Sequence, residues 1–369
     1  MTSRPVQQVA AAVAAAQLDA LVLVPGGNLY YTLGVKQRLT ERPNVYVIYP
    51  DQTIFALLPA IEVASFRSAW PEAAVVPWTD REGYGAGANQ LGAFLRERSR
   101  HRVPKVGVEY LNLRMVEREL LLRGIGEVEL VPAEPVLESL RMIKTADELE
   151  NMRQSCRIVE AALERVISRF ECGMTEKQVS NMLKIEMLQL GSEELPAEPV
   201  VASGPRTSHA HTKTSDRAIN KGDVLLIDVG ARYHGYVSDL TRTFFVGKPP
   251  EEFLRLHQLD LEVRRHTLAT IKPGVPIGDV DQAAHDYVDS AGYGPCFQAR
   301  VGHGIGLDAH EQPYIVRGTT AHLKPGMTFT VEPGIFIEGK WGVRTEENVA
   351  VTETGVEVLT SFPIELRCL

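Results

Sequence analysis

Two pairs of acidic residues, each pair spanning a short turn, constrain the fold of this chain more than any other feature. Asp228 ends the apolar run VLLI, and Asp239 lies in the segment YVSDLTRTFFV, just after the turn RYHG. Glu332 and Glu346 are equidistant from Gly339. The sequence therefore predicts two β-hairpins, each with two carboxylates facing one another. Like charges about 5 Å apart across a hairpin destabilise it, so a nearby cation is expected.

A glycine-flanked histidine completes a set of metal-type ligands. His303 stands in the segment RVGHGIGLDAHE, whose glycines would let the backbone pack close to a metal. Four carboxylates and one imidazole suit Mn²⁺, Co²⁺, Zn²⁺ or Fe²⁺ better than a thiolate-preferring metal. Two such ions about 3.5–4 Å apart would polarise a carbonyl and lower the pKa of a water between them. The five residues therefore predict a dinuclear hydrolytic centre.

Each pattern taken alone has a simpler interpretation. One acid at a strand end is commonly a solvated loop charge, and two facing acids can be an accident of register. The GxGxG of residues 302–306 also occurs in phosphate loops, but no Lys, Ser or Thr follows it to support that role. The chain has no GxSxG motif and no cysteine in histidine-rich surroundings, so nucleophilic Ser or Cys catalysis has no support.

Further polar residues lie near the candidate ligands in the sequence. His209 and His211 precede the first hairpin, where an imidazole could hold substrate, donate to an oxyanion or simply be a surface histidine. His310 belongs to the glycine-rich segment. Arg344 lies two residues before Glu346 and hence on the same strand face. It could orient that carboxylate, bind substrate or form a plain salt bridge.

The length of 369 residues predicts two domains. Residues 1–136 alternate strands and helices, which is an α/β pattern, and residues 137–369 carry helix-helix-hairpin twice. The predicted joint is Leu140–Lys144, with Thr145 as the N-cap of a long helix. Predicted strands are 18–24, 44–50, 52–58, 73–77 and 105–109. Predicted helices are 5–16, 60–69, 86–98, 113–123, 176–191, 250–271 and 278–291.

Composition excludes several classes of protein. A net charge of −8 without a basic run argues against a nucleic-acid binder. No apolar run approaches the roughly 18–20 residues that span a membrane, and the early AAAVAAA is interpreted as an amphipathic helix, not a signal peptide. The four cysteines are scattered, so reduced thiols and a cytoplasmic location are expected.

With these motifs in place, the chain resembles the pita-bread metallopeptidases, which include prolidase, aminopeptidase P, methionine aminopeptidase and the metal-free relative creatinase. From about Met142 to the C-terminus, DVGARYHGYVSDLTRTF, GHGIGLDAHE, VEPGIF and GVRTEENVAV look like the family's ligand blocks in order. The N-terminal domain resembles the creatinase type, which favours the prolidase and aminopeptidase P branch. The resemblance implies an α/β (α+β) architecture in which the C-terminal domain consists of two pseudo-twofold halves.

The resemblance also implies a role for each candidate ligand. Asp228 matches the terminal carboxylate ligand, and Asp239 and Glu346 match the bridging carboxylates. His303 matches the imidazole ligand. Glu332 matches the ligand that also acts as general base. The implied cofactors are two divalent metal ions, with Mn²⁺ expected and Co²⁺, Zn²⁺ or Fe²⁺ as alternatives.

Three more residues match substrate-site positions, and two positions depart from the pattern. His211 matches the family's substrate-binding histidine, and His310 and Arg344 match its pair next to the ligands. Ala299 stands where the family usually has a histidine, and Phe336 stands where it usually has a tyrosine. Both positions normally help to hold substrate near the metals, so these changes bear on selectivity for proline.

The implied function is cleavage of the Xaa-Pro bond at the N-terminus of dipeptides or short peptides. A charged loop, Val35–Arg42, is interpreted as a substrate clamp or as a solvated loop. Arg42, held extended by the following proline, is the expected ligand of the substrate carboxylate. Relatives in this branch imply a homodimer in which one subunit's N-domain caps the other's site. Alternatives are a hydrolase of a non-peptide C–N bond, a peptidase with relaxed proline demand, and a binding module without catalysis.

Overall fold

The computed structural model describes residues 4–210 and 212–369. The chain divides into two compact units, Met1–Arg141 and Met142–Leu369. This division falls within the predicted joint, Leu140–Lys144, but after residue 136, because the last helix of the first unit runs across that point. Leu137, in the middle of this helix, is buried in the core of the N-terminal unit.

Six strands form a mixed sheet in the N-terminal unit. They are β1 (Ala20–Leu23), β2 (Val45–Ile48), β3 (Ile54–Pro59), β4 (Ala74–Trp78), β5 (Lys105–Val108) and β6 (Glu129–Pro132). Their order is β4-β3-β2-β1-β5-β6. Strand β2 is antiparallel to both neighbours, and the other pairs are parallel. The five predicted strands are present, and β6 is an additional edge strand.

Helices cover both faces of this sheet. Side chains alternate along a strand, so Leu21 and Leu23 of β1 join one apolar core while Ala20 and Val22 join the other. Helices α1, α2, α3 and α6 pack on the first core, and α4 and α5 pack on the second. Their bounds are α1 (Arg4–Ala15), α2 (Gly27–Leu33), α3 (Ala60–Ala69), α4 (Ala88–Arg98), α5 (Met115–Ile125) and α6 (Glu134–Arg141). The result is a three-layer α/β domain, as predicted.

Four helices of the C-terminal unit form two successive pairs. They are α7 (Ala146–Ile167), α8 (Glu176–Gln189), α9 (Glu251–Thr270) and α10 (Ile277–Ser290). Thr145 caps α7: its hydroxyl accepts a hydrogen bond from the Glu148 backbone N–H, and the Glu148 carboxylate accepts one from the Thr145 N–H. The predicted N-cap is therefore confirmed. A capping pair of this kind stabilises a helix by about 1 kcal/mol.

Strands follow each helix pair. Those after α8 are β7 (Val200–Ser203), β8 (Val224–Val229), β9 (Arg232–Tyr233), β10 (Tyr236–Val237) and β11 (Leu240–Phe245). Those after α10 are β12 (Gly302–Gly304), β13 (Glu311–Ile315), β14 (Thr328–Val331), β15 (Gly334–Ile337), β16 (Trp341–Arg344), β17 (Glu347–Val351), β18 (Val356–Val358) and β19 (Arg367–Cys368). The larger sheets have the orders β19-β11-β8-β7 and β13-β12-β14-β17-β18.

Each half of the C-terminal unit has its own apolar core. The first half (α7, α8 and β7–β11) packs around residues such as Leu163, Leu183 and Ile227. The second half (α9, α10 and β12–β18) packs around residues such as Phe253 and Phe329. Helix-helix-sheet thus occurs twice, as the sequence predicted. In the described residues, every helix falls short of the length and apolarity needed to cross a bilayer.

Candidate metal centre

The first hairpin places its two aspartates as diagonal neighbours. Asp228 is paired with Thr241, not with Asp239. The predicted direct pairing is therefore wrong, because the turn is tighter than the sequence interpretation assumed. His234 and Gly235 have φ angles of 47° and 84°, which is the two-residue turn geometry that matches strand twist. Asp239 lies two residues before Thr241, so it occupies the same face as Asp228.

The second hairpin follows the predicted register along its whole length. Val331 pairs with Glu347 on one side of the candidate ligands, and Gly334 pairs with Arg344 on the other. Glu332 and Glu346 are opposite one another in the gap between these two ladders. Each uses its backbone N–H elsewhere: Glu332 donates to the Val301 carbonyl at 2.8 Å, and Glu346 donates to the Thr241 carbonyl at 3.1 Å. The second of these bonds ties the two hairpins together.

His303 brings an imidazole to the same place. It lies in β12 and is 4% exposed. Its Nε2 is 3.1 Å from Oε1 of Glu332 and 4.0 Å from Oδ2 of Asp239. One possible ligand atom from each of Asp239, His303 and Glu346 lies within 4.8 Å of the others. Three groups from two different hairpins and a third strand therefore converge at one point.

The carboxylates are reachable from solvent although they sit in a low-dielectric setting. The side chains of Asp228, Asp239 and Glu332 are 26%, 21% and 17% exposed, whereas Glu346 is almost fully buried. Burial, and then the charges of the neighbouring carboxylates, raise the pKa of Asp239 and of Glu346 well above their usual values. The protein alone thus has excess negative charge at this site.

Glu332 differs from its neighbours in its environment. Burial by itself raises its pKa, but the hydrogen bond and charge of His303, together with Arg344 and Thr330, outweigh burial and lower the pKa of Glu332 to about 2. Ligation of a metal through His303 Nε2 would use the same nitrogen as this hydrogen bond, so the two interactions exclude one another. Thr330 donates to Oε1 of Glu332 at 2.9 Å in either case.

Arg344 is a buried cation among these acids. Its guanidinium donates to Oδ2 of Asp228 and, through Nε, to the Thr241 hydroxyl at 3.0 Å. Its Nη1 is 4.0 Å from Glu332. A single positive charge offsets only part of the charge of four carboxylates. The sequence left three roles open for this residue: the structure shows a salt bridge with Asp228, and Arg344 reaches Glu346, the carboxylate it was expected to orient, only through the Thr241 hydroxyl.

Residues that sequence reasoning missed hold the candidate ligands in place. Thr241 donates to Oε2 of Glu346 at 2.6 Å. Asn348 accepts from the Asp239 N–H at 3.0 Å and donates to the Asp239 carbonyl. Thr241 and Thr330 each lie two residues from a ligand, and period-two spacing on a strand could have identified them. Asn348 lies two residues after Glu346, so the same spacing applies to it.

A cavity of about 350 Å³ opens onto this cluster. Its walls also include His310, whose ring lies edge-on to His303 with centroids 4.0 Å apart. Burial and the nearby His303 lower the pKa of His310, so the neutral imidazole is favoured. The remaining wall comes from the segment around Glu198 and from Thr212, which no sequence motif singled out.

Two further residues, His211 and Arg42, were predicted to bind substrate. His211 lies outside the described residues. Arg42 belongs to the N-terminal unit, where its guanidinium donates two hydrogen bonds to Asp80 at 3.0 and 2.7 Å. The pKa of Arg42 is raised and that of Asp80 is lowered by this contact. The proposed clamp is therefore already engaged with an acid of its own unit. Ala299 is exposed and Phe336 is part of β15.

The chemistry of the donor set fits divalent cations. Oxygen ligands with one imidazole are preferred by Mn²⁺, Fe²⁺, Co²⁺ and Zn²⁺. The raised pKa values of Asp239 and Glu346 have the same implication, because positive charge placed between these groups would remove the repulsion that keeps protons on them. The site can therefore accept more positive charge than Arg344 supplies.

Comparison with known proteins identifies the family. Residues 150–353 match metallopeptidase family M24, and residues 5–143 match the creatinase/prolidase N-terminal domain. The probable dipeptidase PepE of Mycobacterium tuberculosis is 34% identical over 362 residues, covering 97% of this chain and 94% of that protein.

Solved structures agree in both domains. A prolidase from Thermococcus sibiricus matches with a TM-score of 0.94 and 31% identity, covering 100% of both chains. An Xaa-Pro dipeptidase from Bacillus anthracis matches with a TM-score of 0.88 and 29% identity, covering 99% of both chains. These similarities confirm the fold expected from the sequence motifs. The chain belongs to metallopeptidase family M24, with a creatinase/prolidase-type N-terminal domain followed by a pita-bread catalytic domain that uses divalent metal.

Proposed function

We propose that this protein is a dinuclear Xaa-Pro dipeptidase. One observation carries the proposal: ligand atoms of Asp239, His303 and Glu346 lie within 4.8 Å of one another on a cavity that also exposes Asp228 and Glu332. The solved relatives described above include a prolidase and an Xaa-Pro dipeptidase, which supports peptides with proline after the scissile bond as the substrate class.

Five residues would hold the two ions: Asp228, Asp239, His303, Glu332 and Glu346. When bound, two divalent ions supply Lewis-acid polarisation of the scissile carbonyl and acidify the attacking water. The chain's own contribution is to fix these side chains before substrate arrives. Thr241 and Thr330 restrain the two glutamates through hydrogen bonds, and such supporting contacts commonly change metal affinity by about 10- to 100-fold.

Glu332 is the proposed proton carrier. Its side chain is 17% exposed, whereas that of Glu346, which also lines the cavity, is almost fully buried. A carboxylate in this position can accept the proton of the attacking water and release it to the leaving proline nitrogen. The charge of Arg344 favours the anionic, proton-accepting form of this carboxylate.

His310 is proposed to act on the scissile carbonyl. Its ring stands against His303 at the cavity wall, and burial and neighbouring charge favour its neutral form, which can still donate one N–H. Such a donor aimed at the developing oxyanion lowers the barrier. His211 is proposed to bind substrate on the basis of the motif alone. Arg344 orients Asp228 through a hydrogen bond, and its Nη1 lies 4.0 Å from the Glu332 carboxylate.

The cavity volume favours a small substrate. Ligand sites usually enclose about 300–1,000 Å³, and this one encloses about 350 Å³. A dipeptide fits that volume better than a longer peptide. Proline defines the substrate class physically, because its tertiary amide lacks an N–H and its ring fixes φ. General peptidases that require that N–H and an extended chain handle it poorly.

Three finer statements belong to the same proposal. Mn²⁺ is the proposed native metal, with Co²⁺, Zn²⁺ and Fe²⁺ as alternatives of similar ligand preference. The proposed assembly is a homodimer, to be measured by light scattering coupled to size-exclusion chromatography. The proposed location is the cytoplasm, in keeping with the four free cysteines.

The test compares matched substrates on one preparation. The chelator-treated protein should be inactive and should recover on addition of Mn²⁺. The recovered protein should hydrolyse Ala-Pro faster than Ala-Ala, and Ala-Pro faster than Ala-Pro-Ala. Equal rates on Ala-Pro and Ala-Ala would remove the proline demand. Preference for Ala-Pro-Ala would make the enzyme an aminopeptidase instead, and a fully active metal-free protein would contradict the metal centre itself.

A further inference from the structure

Among the described residues of 142–369, Arg300 has neither a hydrogen bond nor an ion pair. Every other arginine described in that range has a hydrogen bond or an ion pair. Arg300 instead rests on an aromatic ring: its guanidinium carbon is 4.4 Å from the ring centroid of Tyr314. A guanidinium stacked in this way keeps its N–H edge free to bind another group.

Tyr314 positions that guanidinium beside the candidate metal centre. Tyr314 is the direct partner of His303 in the β12–β13 ladder. Paired residues of antiparallel strands project from the same sheet face, with Cβ atoms about 4.5–5.5 Å apart. Arg300 lies two residues before β12, and its guanidinium stacks on the Tyr314 ring. After burial and the charge of His303, the charge of Arg300 also lowers the pKa of His310, which agrees with their proximity.

Two other cations near the site are already engaged. Arg344 is bound to Asp228 and Thr241 and is only 8% exposed. Lys144 is buried in an ion pair with Glu311 at 2.6 Å. Arg300 is partly exposed and has no such partner among the described residues. It can therefore meet an incoming anion without breaking an existing contact.

We propose that Arg300, held by Tyr314, binds the C-terminal carboxylate of the peptide substrate. This inference rests on the proposed dipeptidase function and names what fixes the far end of the substrate. A site lined by carboxylates repels a substrate carboxylate unless a cation receives it, and a guanidinium receives it through two parallel hydrogen bonds. Each added residue moves the carboxylate by about 3.3–3.6 Å, so a fixed guanidinium also selects for length.

The test removes the substrate charge while keeping its shape. Wild-type kcat/KM for Ala-Pro should exceed that for Ala-Pro amide by about 10- to 100-fold, the size expected for a charge-assisted pair. Arg300→Gln should lower kcat/KM for Ala-Pro by a similar factor, mainly through KM, and leave the amide nearly unchanged. The acid-to-amide ratio should then approach one.

Two tyrosine variants separate positioning from folding. Tyr314→Phe keeps the ring face and should keep the ratio, whereas Tyr314→Leu removes the face and should reduce it. Arg255→Gln is the charge control, because Arg255 is an exposed cation on α9 paired with Glu251. It should leave the ratio at the wild-type value. Thermal unfolding of all variants shows whether each is folded.

The outcomes distinguish this inference from the proposed function. If wild type hydrolyses Ala-Pro but uses its amide equally well, Arg300 is not the clamp and the proposed function stands. If Arg42→Ala, and not Arg300→Gln, removes the discrimination, the clamp belongs to the N-terminal domain and the inference is overturned. If Ala-Pro and Ala-Ala are cleaved equally, the proline demand fails. The ratio for Ala-Ala and its amide then tests Arg300 independently.

Discussion

Replacement of Thr241 by valine should weaken metal binding without changing any candidate ligand. The Thr241 hydroxyl is fully buried, donates to Oε2 of Glu346 at 2.6 Å and accepts from Nε of Arg344 at 3.0 Å. Valine has nearly the same shape but can neither donate nor accept a hydrogen bond. The carboxylate of Glu346 therefore loses the group that fixes its orientation, and Nε of Arg344 loses its acceptor.

The size of the effect follows from these two bonds. A hydrogen bond to a charged group contributes about 1.5–3 kcal/mol, and 1.4 kcal/mol corresponds to a factor of ten in an equilibrium constant. If the bond to Glu346 acts mainly on ligand orientation, Mn²⁺ affinity should fall by about 10- to 100-fold, the range seen for supporting residues of metal ligands. The lost acceptor for Arg344 should also lower the free energy of unfolding by about 1–3 kcal/mol.

A neighbouring threonine provides the control. Thr243 lies two residues further along the same strand, and its hydroxyl bonds to the backbone of Arg344 instead of a ligand. Thr243→Val should lower stability to a similar degree but leave Mn²⁺ affinity at the wild-type value. Calorimetric titration of chelator-treated protein and urea unfolding measure the two quantities. Equal loss of affinity in both variants, or wild-type affinity in Thr241→Val, would refute the reasoning.

Three further predictions concern the ligands and the pH response. Glu332→Gln should reduce kcat by at least about 100-fold with a smaller change in KM, and a variant with near wild-type kcat would exclude the proton-carrier role. Asp239→Ala and Glu346→Ala should each lose both metal ions, as measured by metal analysis of dialysed protein; retention of one ion in either would contradict bridging. Burial lowers the pKa of His257 to about 4, so between about pH 6.5 and 4 the unfolded chain takes up a proton that the folded chain does not. Stability should therefore fall by up to about 3 kcal/mol as the pH drops through this window, and His257→Leu should flatten that part of a urea-unfolding series; an unchanged slope would exclude His257.

The two hairpins show what sequence symmetry can and cannot predict. Glu332 and Glu346 are equidistant from Gly339, and one register runs from Thr328 through Ala350, so the spacing was sufficient. The prediction for the first hairpin was wrong because the strand register depends on where the turn is centred. Positive φ at both His234 and Gly235 makes a two-residue turn. Histidine accepts such a φ more readily than most residues, but the sequence alone did not distinguish this turn from a longer one.

Long-range packing explains the rest of what the sequence did not predict. Helix α2 has only seven residues and begins at a glycine, which gives little periodicity to detect. Arg300 and Tyr314 are fourteen positions apart in a chain where their relation appears only through the β12–β13 pairing. Glu198 lines the cavity from a loop of the first half. Contacts of this kind depend on how separate elements pack, and local patterns do not encode them.

The division of the catalytic unit into two cores has a consequence for its cohesion. The candidate ligands are split between the halves, Asp228 and Asp239 in the first and three in the second. Polar links cross this seam, Thr241 with Glu346, Arg344 with Asp228 and Arg242 with Glu347, beside apolar contacts such as that of Phe245 with Phe253.

Apolar cores resist opening by exclusion of water, whereas a polar seam is weakened by protonation, salt and loss of cations. Metal ions bound there would hold the two halves together, because they would be ligated by residues of both. The amide hydrogen of Glu346, which bonds to the Thr241 carbonyl across the seam, should therefore gain more in exchange rate on addition of a chelator than amides in the middle of α7 or α9. Neither half carries a full ligand set, so in a split version of this protein, metal binding would itself report that the two fragments had rejoined.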